Sequence, residues 1–208
     1  MTSSTAREVL AEHGTTYADQ AGITVADKPA PLFQLLVLTT LLSTRISAEI
    51  AVDAAKELFA AGWRTPKAMA ASTWQQRVDA LGRGHYVRYD ESTARALGET
   101  AERTLEVYHG DLRRMADAAD RDAARLRNLL TEFPRIGRTG AEIFCREVQA
   151  VWTWLRPYFD KRARAAAGKL GMPKDPQRLG RTVPPADHAR LAAALVRTSL
   201  RTKKAQSS

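Results

Sequence analysis

The sequence predicts an all-α fold, and three observations predict it. Ala, Leu and Arg are abundant while aromatic residues make up only 7% of the 208 residues, a composition that favours helices over strands. Apolar positions recur at helical spacing, and no segment alternates apolar and polar residues strictly enough to mark a strand. Glycines that stop helices and Ser, Thr or Asp residues that start them divide the chain into pieces of helical length. With 44% hydrophobic and 26% charged residues, the chain is long enough to bury a core in one domain or two small ones.

The segment from Ser3 to about Gln20 reads as one helix, followed by a loop through Gly22 and Lys28. Pro31 suits a first helical turn. The run Leu32 to Leu42 behind it is apolar nearly all round, so this helix belongs at the centre of a core. Ser47 is an N-cap for a helix that reaches Ala60 or Ala61 and closes at Gly62. Thr65-Pro66 starts a short helix, and Ser72-Thr73-Trp74-Gln75 reads as the capping box of the next, which stops at Gly82. A longer helix opens at Asp90 or Glu91 and ends near Gly110, and two short ones fit Leu112 to Ala119 and Arg121 to Phe133. Phe133 to Gly140 breaks the pattern. Helices then cover Ala141 to Val151 and Lys161 to Leu170, with an irregular aromatic stretch, Trp152 to Phe159, between them. A loop around Pro184-Pro185 leads into a final helix to about Arg201, and Thr202 to Ser208 reads as a frayed basic tail.

Charge is spread unevenly along this pattern. The formal net charge is +9, and the residues after Glu147 carry thirteen Lys or Arg against three Asp or Glu, while the rest is close to neutral. Such a concentration of cations points to a polyanionic partner, nucleic acid first, because Lys and Arg neutralise phosphates. A solvated basic surface is the alternative. The longest apolar stretch is too short to span a bilayer. Nothing between Met1 and Glu12 resembles an export signal, so a cytoplasmic location is expected. The single cysteine, Cys145, excludes an internal disulfide and a four-cysteine metal cluster within this chain.

The segment Phe133-Pro134-Arg135-Ile136-Gly137-Arg138-Thr139-Gly140-Ala141 resembles the hairpin of the helix-hairpin-helix DNA glycosylase superfamily. That pattern runs Leu-Pro-Gly-Val/Ile-Gly, then two variable positions, a small residue and Ala. Proline ends one helix, glycine turns the backbone at positive φ, and the next helix begins with free N–H groups. Those amides sit at the positive end of a helix dipole, where a DNA phosphate can dock. Taken without the resemblance, the same residues form a plain corner between helices. Asp160 lies twenty-one residues beyond Thr139 and opens a run that ends Lys169-Leu170-Gly171. In endonuclease III-like members of the superfamily a Val-Asp-Thr-His segment opens a helix ending Arg-Leu-Gly at similar spacing, and its aspartate is catalytic. Upstream, Pro31-Leu32-Phe33-Gln34-Leu35-Leu36 and Leu41-Leu42-Ser43-Thr44-Arg45 are similar to the family's Pro-Phe-Glu-Leu-Leu and Leu-Leu-Ser-Ala-Gln. The departures are Thr139 where bifunctional enzymes carry a Schiff-base lysine, Arg135 for the first hairpin glycine, Lys161-Arg162 for Thr-His, and no cluster cysteines.

The resemblance implies two helical subdomains with a helix-hairpin-helix motif and a DNA-binding cleft between them. Residues 30–147 would form a central helical-barrel domain ending in the hairpin, and residues 1–29 with 148–208 the second. It implies a monofunctional DNA glycosylase that hydrolyses the N-glycosidic bond of a flipped, damaged or mispaired base. A catalytically inactive protein that recognises distorted or damaged DNA is the alternative. Asp160 would stabilise the sugar cation or activate water; an N-cap for the helix beginning at Lys161 is the plainer role, and the two are compatible. Thr139 has no amine for lyase chemistry. Arg45 takes the position of a residue that fills the gap left in the duplex. Pro134, Arg135, Ile136, Gly137, Arg138, Gly140, Lys161 and Arg162 would meet the DNA backbone, and His85, Tyr86 and Tyr89 fall at pocket-wall positions that core packing explains as well. No iron-sulfur cluster is expected, and a monovalent cation at the hairpin is compatible with the pattern. The expected partner is double-stranded DNA containing a lesion or mismatch, bound by a monomer associated with the nucleoid and not with a membrane.

Overall fold

A computed structural model describes residues 2–205 of the chain, and among them every regular element is a helix. In order these are α1 (Thr2–His13), α2 (Tyr17–Gln20), α3 (Pro29–Leu42), α4 (Ala48–Ala60) and α5 (Pro66–Ala71). Next come α6 (Trp74–Arg83), α7 (Asp90–Tyr108), α8 (Arg113–Ala118), α9 (Ala123–Leu130) and α10 (Arg138–Val148). The series ends with α11 (Lys161–Lys169), α12 (Pro176–Gly180) and α13 (His188–Ala205). None of them is long and apolar enough to cross a membrane. The chain forms two compact units, Ala18–Phe144 and Met1–Tyr17 with Cys145–Ser208, and the boundary falls within α10.

The unit Ala18–Phe144 is built around α3, whose residues from Leu35 to Leu41 are all fully buried. Its two buried threonines do not disturb this core, because Thr39 Oγ1 donates to Leu35 O at 2.8 Å and Thr40 Oγ1 to Leu36 O at 3.0 Å. α4 packs on α3 and α6, and α7 packs on α3, α5 and α6. The starts of these helices follow from local capping. Ser47 Oγ accepts from Ile50 N at 3.3 Å, and Thr65 Oγ1 accepts from Ala68 N at 3.2 Å. α3 begins two residues earlier than Pro31 suggests, with Pro29 in its first turn. The capping box before α6 is displaced by one residue from the expected one. It joins Thr73 and Gln76, while Ser72 is buried at the end of α5 and accepts from the buried Arg77 Nη1 at 2.9 Å. α6 ends at Arg83, and Gly84 lies directly against α4: a Cβ there would sit 2.5 Å from Ala54 Cα and 2.6 Å from Ala54 N.

In the other unit, α1 and α11 pack along α13, burying Val9, Leu10, Ala163, Ala167, Leu191 and Leu195. The single opening helix expected to about Gln20 is interrupted. α1 ends before Gly14, whose carbonyl accepts from Arg190 Nε at 3.1 Å, and a separate short helix, α2, begins at Tyr17. Asp175 caps α12 by accepting from Arg178 N at 2.9 Å, an Asp-Pro start to a short helix that the sequence reading does not assign. His188 opens α13, with Nε2 3.1 Å from Gly180 O, and burial holds its pKa below the usual histidine value. Part of the supposed tail is helical, since α13 continues through Ala205; residues 206–208 lie outside the described residues.

Because the neighbours of Gly84 are main-chain atoms of α4, they cannot swing aside as a side chain would. Gly84→Ala should therefore destabilise the protein by about 2 kcal/mol, read as a lower urea midpoint at unchanged slope. An unaltered midpoint would contradict this close packing.

Candidate functional site

The hairpin lies in the unit Ala18–Phe144. Phe133 anchors it, 2% exposed and stacked on Tyr108 with ring centroids 6.1 Å apart. Ile136 N donates to Phe133 O at 3.1 Å, closing a turn over Pro134 and Arg135. Proline at the second position and positive φ at the third identify a type II turn, which normally places glycine third. Here Arg135 occupies that place at φ 62°, a conformation that costs an ordinary side chain about 1 kcal/mol. α10 then starts, and Ala141 N donates to Gly137 O at 3.0 Å.

The hairpin residues divide by burial into a frame and a surface. Pro134 is half-buried, the Ile136 side chain is buried, and Gly140 is buried so closely that a Cβ on it would sit 2.3 Å from Ser43 Oγ. The side chain of Ile136 therefore cannot meet DNA, and neither it nor Gly140 offers a ligand more than main chain; their part is to shape the turn. Arg135, Gly137, Arg138 and Thr139 are exposed. The first-turn amides of α10 have no partner within the helix and lie at its positive end, with the exposed Arg135 and Arg138 close by in sequence.

The Ser43–Gly140 approach brings the end of α3 to the hairpin. Next in sequence, Thr44 Oγ1 lies 2.6 Å from Tyr86 OH, which in turn lies 3.3 Å from Thr93 Oγ1. Arg45 is exposed in the loop between α3 and α4. Of the three expected pocket-wall residues, His85 is exposed at φ 61°, Tyr89 is half-buried, and Tyr86 has no exposed surface. Tyr86 is a core residue held by two threonine hydroxyls and lines no opening. A surface cleft of about 480 Å³ does occur in this unit, but Trp74, Arg77, Arg95, Gly98, Glu99 and Glu102 line it and no expected site residue does.

Asp160 lies in the other unit, where its carboxylate is engaged on both oxygens. Oδ1 accepts from Ala163 N at 2.7 Å, capping α11, and Oδ2 accepts from Arg146 Nη1 at 2.7 Å. Asp160 is 6% exposed and Arg146 3%. Burial works against the Arg146 charge, and Asp160 and Glu147 outweigh it, so the guanidinium pKa stands above the ordinary arginine value. Glu147 Oε1 lies 3.7 Å from Arg146 Nε, and the Tyr17 ring lies 5.8 Å from the guanidinium carbon. Lys161 and Arg162 are exposed in the first turn of α11. Sequence reasoning missed Arg146. The signal available was weak: Arg146 directly follows the apolar pair Phe144-Cys145, and a cation drawn into a core calls for a counter-charge elsewhere in the chain. Among the described residues no group of three or more His, Cys, Asp or Glu is placed to hold a metal ion. Cys145 is buried and is the single cysteine of the chain, so the donor set of a four-cysteine cluster is lacking.

No family model matches the chain, and no curated protein matches it. Among solved structures it is similar to a non-covalent endonuclease III–DNA complex, with TM-score 0.52 and 18% identity over 94% of this chain and 85% of that one. A trapped covalent intermediate of endonuclease III with DNA, an estranged-adenine complex, matches with TM-score 0.49 at the same identity and coverage. The first of these likenesses establishes a shared helical fold.

Removing one partner of a buried ion pair costs roughly 3–5 kcal/mol, far more than replacing both. Asp160→Asn should thus lower stability by about that amount, and Arg146→Met in the same chain should restore part of it. Thermal melts of the two single variants and the double variant measure the coupling. Additive losses would mean that the two groups do not act as a pair.

Proposed function

We propose that this chain is a DNA-repair protein that binds duplex DNA at a lesion or mismatch and hydrolyses the N-glycosidic bond of the extruded base without a lysine nucleophile. The observation that carries the reading is the hairpin. It leads into helix α10 with the exposed residues Arg135, Gly137, Arg138 and Thr139, so that a helix N-terminus and two arginines are available to a phosphate, in a chain that shares its fold with endonuclease III, solved in complex with DNA. The base must leave the stack because its glycosidic carbon is shielded there. Arg45, exposed beyond the end of α3, supplies a guanidinium that can fill the vacated space. Lys161 and Arg162 supply phosphate contacts at the start of α11.

Asp160 is the residue proposed to stabilise the positive charge that develops on the sugar. Thr139 is exposed at the second position of α10 and carries a hydroxyl in place of an amine, so a Schiff base cannot form there. Hydrolysis needs only water, and no redox group enters the proposal. A monovalent cation on hairpin carbonyls would act alongside the amides in neutralising a phosphate. The second reading, recognition of damaged DNA without cutting, is favoured by one observation: the Asp160 carboxylate is closed off by Arg146 and by the helix it caps.

Duplex binding should be strongly salt-dependent. If about four to six phosphates are neutralised, log affinity falls against log salt with a slope of roughly −4 to −5, and a flat response would sink the nucleic-acid reading. Incubation with a panel of lesion-bearing duplexes should release a base, leave an alkali-labile abasic site, and give no borohydride-trapped complex. Asp160→Asn should cut base release by about 10² to 10³, and so should Asp160→Asn combined with Arg146→Met. Salt-dependent binding with no base released from any duplex would establish the second reading. Efficient trapping would mean that an amine, Lys161 first, acts as nucleophile.

A further inference from the structure

Tyr89 stands at the start of α7 with two guanidinium groups beside its ring. The Arg88 carbon lies 5.3 Å from the ring centroid and the Arg135 carbon 5.7 Å. Arg135 is also tied by hydrogen bonds: its Nη1 donates to Ser92 Oγ at 2.9 Å, and Ser92 Oγ donates to Tyr89 O at 3.1 Å. The same Arg135 adopts the left-handed backbone that a type II turn reserves for glycine. A solvated arginine needs none of this. The turn carries backbone strain, and its side chain is fixed in place on an aromatic ring while remaining exposed.

A guanidinium held in this way is a planar, pre-oriented cation. Its face accepts the face of a nucleobase and its free N–H edge accepts a phosphate. Bases within an intact duplex are stacked on their neighbours and offer no face, so the partner that uses both properties is an unpaired nucleotide. We infer that Arg88, Tyr89 and Arg135, with Ser92 as the tether, form a stacking subsite for one unpaired nucleotide of the bound DNA, so that the chain selects duplexes already interrupted by a bulge or gap. This rests on the DNA-binding reading above and adds a substrate class to it.

The test uses the full chain and two duplexes of identical length, one fully paired and one with a single bulged 2-aminopurine. The bulged duplex should bind about tenfold more tightly, and its 2-aminopurine fluorescence should be quenched on binding. Tyr89→Phe keeps the ring and should retain both effects. Tyr89→Ala should lose both, and so should Arg135→Lys, which keeps the charge without the plane. A wild type that binds both duplexes equally and leaves the fluorescence unquenched overturns this inference alone. Arg135→Lys behaving as wild type also overturns it, reducing Arg135 to a point charge on a phosphate. Failure to bind either duplex removes the DNA reading and this inference with it.

Discussion

The unit formed by Met1–Tyr17 and Cys145–Ser208 depends on how one buried charge is met. Arg146 is 3% exposed on α10, and an unpaired guanidinium at that depth would cost several kcal/mol. The chain answers it by returning. Gln149 Nε2 donates to Tyr158 O at 2.8 Å and Gln149 Oε1 accepts from Tyr158 N at 2.9 Å, while Arg156 Nε donates to Gln149 O at 2.7 Å. These contacts fold the irregular stretch after α10 back on the helix and deliver Asp160 to Arg146. The same carboxylate then caps α11, which packs on α13. One side chain therefore ends the loop, starts the next helix and neutralises the previous one.

The hairpin is governed by backbone geometry where the Asp160 region is governed by charge. Proline at 134 and a left-handed residue at 135 set the turn, and Ile136 and Gly140 hold it against the rest of its unit from inside. With those positions committed to shape, the residues left at the surface are polar or cationic. An arginine in the place of glycine gives up about 1 kcal/mol of backbone comfort and gains a fixed attachment to Tyr89 and Ser92. That exchange makes the turn more rigid than a glycine turn and adds a positive charge where helix amides already face outward.

The helices were legible because their determinants are local. Ser47, Thr65 and Asp160 each sit where a cap is needed, and the buried α3 is a run of apolar residues that needs no tertiary information to recognise. The capping box before α6 was legible as a motif but not in register. Ser72 and Thr73 adjoin, as do Gln75 and Gln76, so two boxes fit the sequence equally. Arg77 decides between them by drawing the Ser72 hydroxyl and carbonyl into its own buried shell, the carbonyl at 2.7 Å. Tyr86 shows the same limit in the site. Its spacing suits a pocket wall, and only the positions of Thr44 and Thr93 reveal that its hydroxyl is bound inside a core. Arg146 and Asp160 are fourteen residues apart and joined through an irregular segment, so no periodicity connects them.

This pairing also bears on what Asp160 can contribute to chemistry. A general base must offer a lone pair to water, and here the carboxylate is 6% exposed with one hydrogen bond on each oxygen. Electrostatic stabilisation asks less of access, because it works through the field, but the field belongs to the whole cluster. Asp160 and Glu147 both flank the Arg146 guanidinium, and Arg197 stands 4.4 Å from the centroid of the same Tyr17 ring that Arg146 contacts. The paired guanidinium offsets the aspartate's charge at a distance, so a positive group would feel it chiefly at contact. What α11 shows at longer range is the opposite sign: Lys161 and Arg162, exposed in its first turn at the positive end of the helix dipole. The long-range field at this place attracts phosphate first.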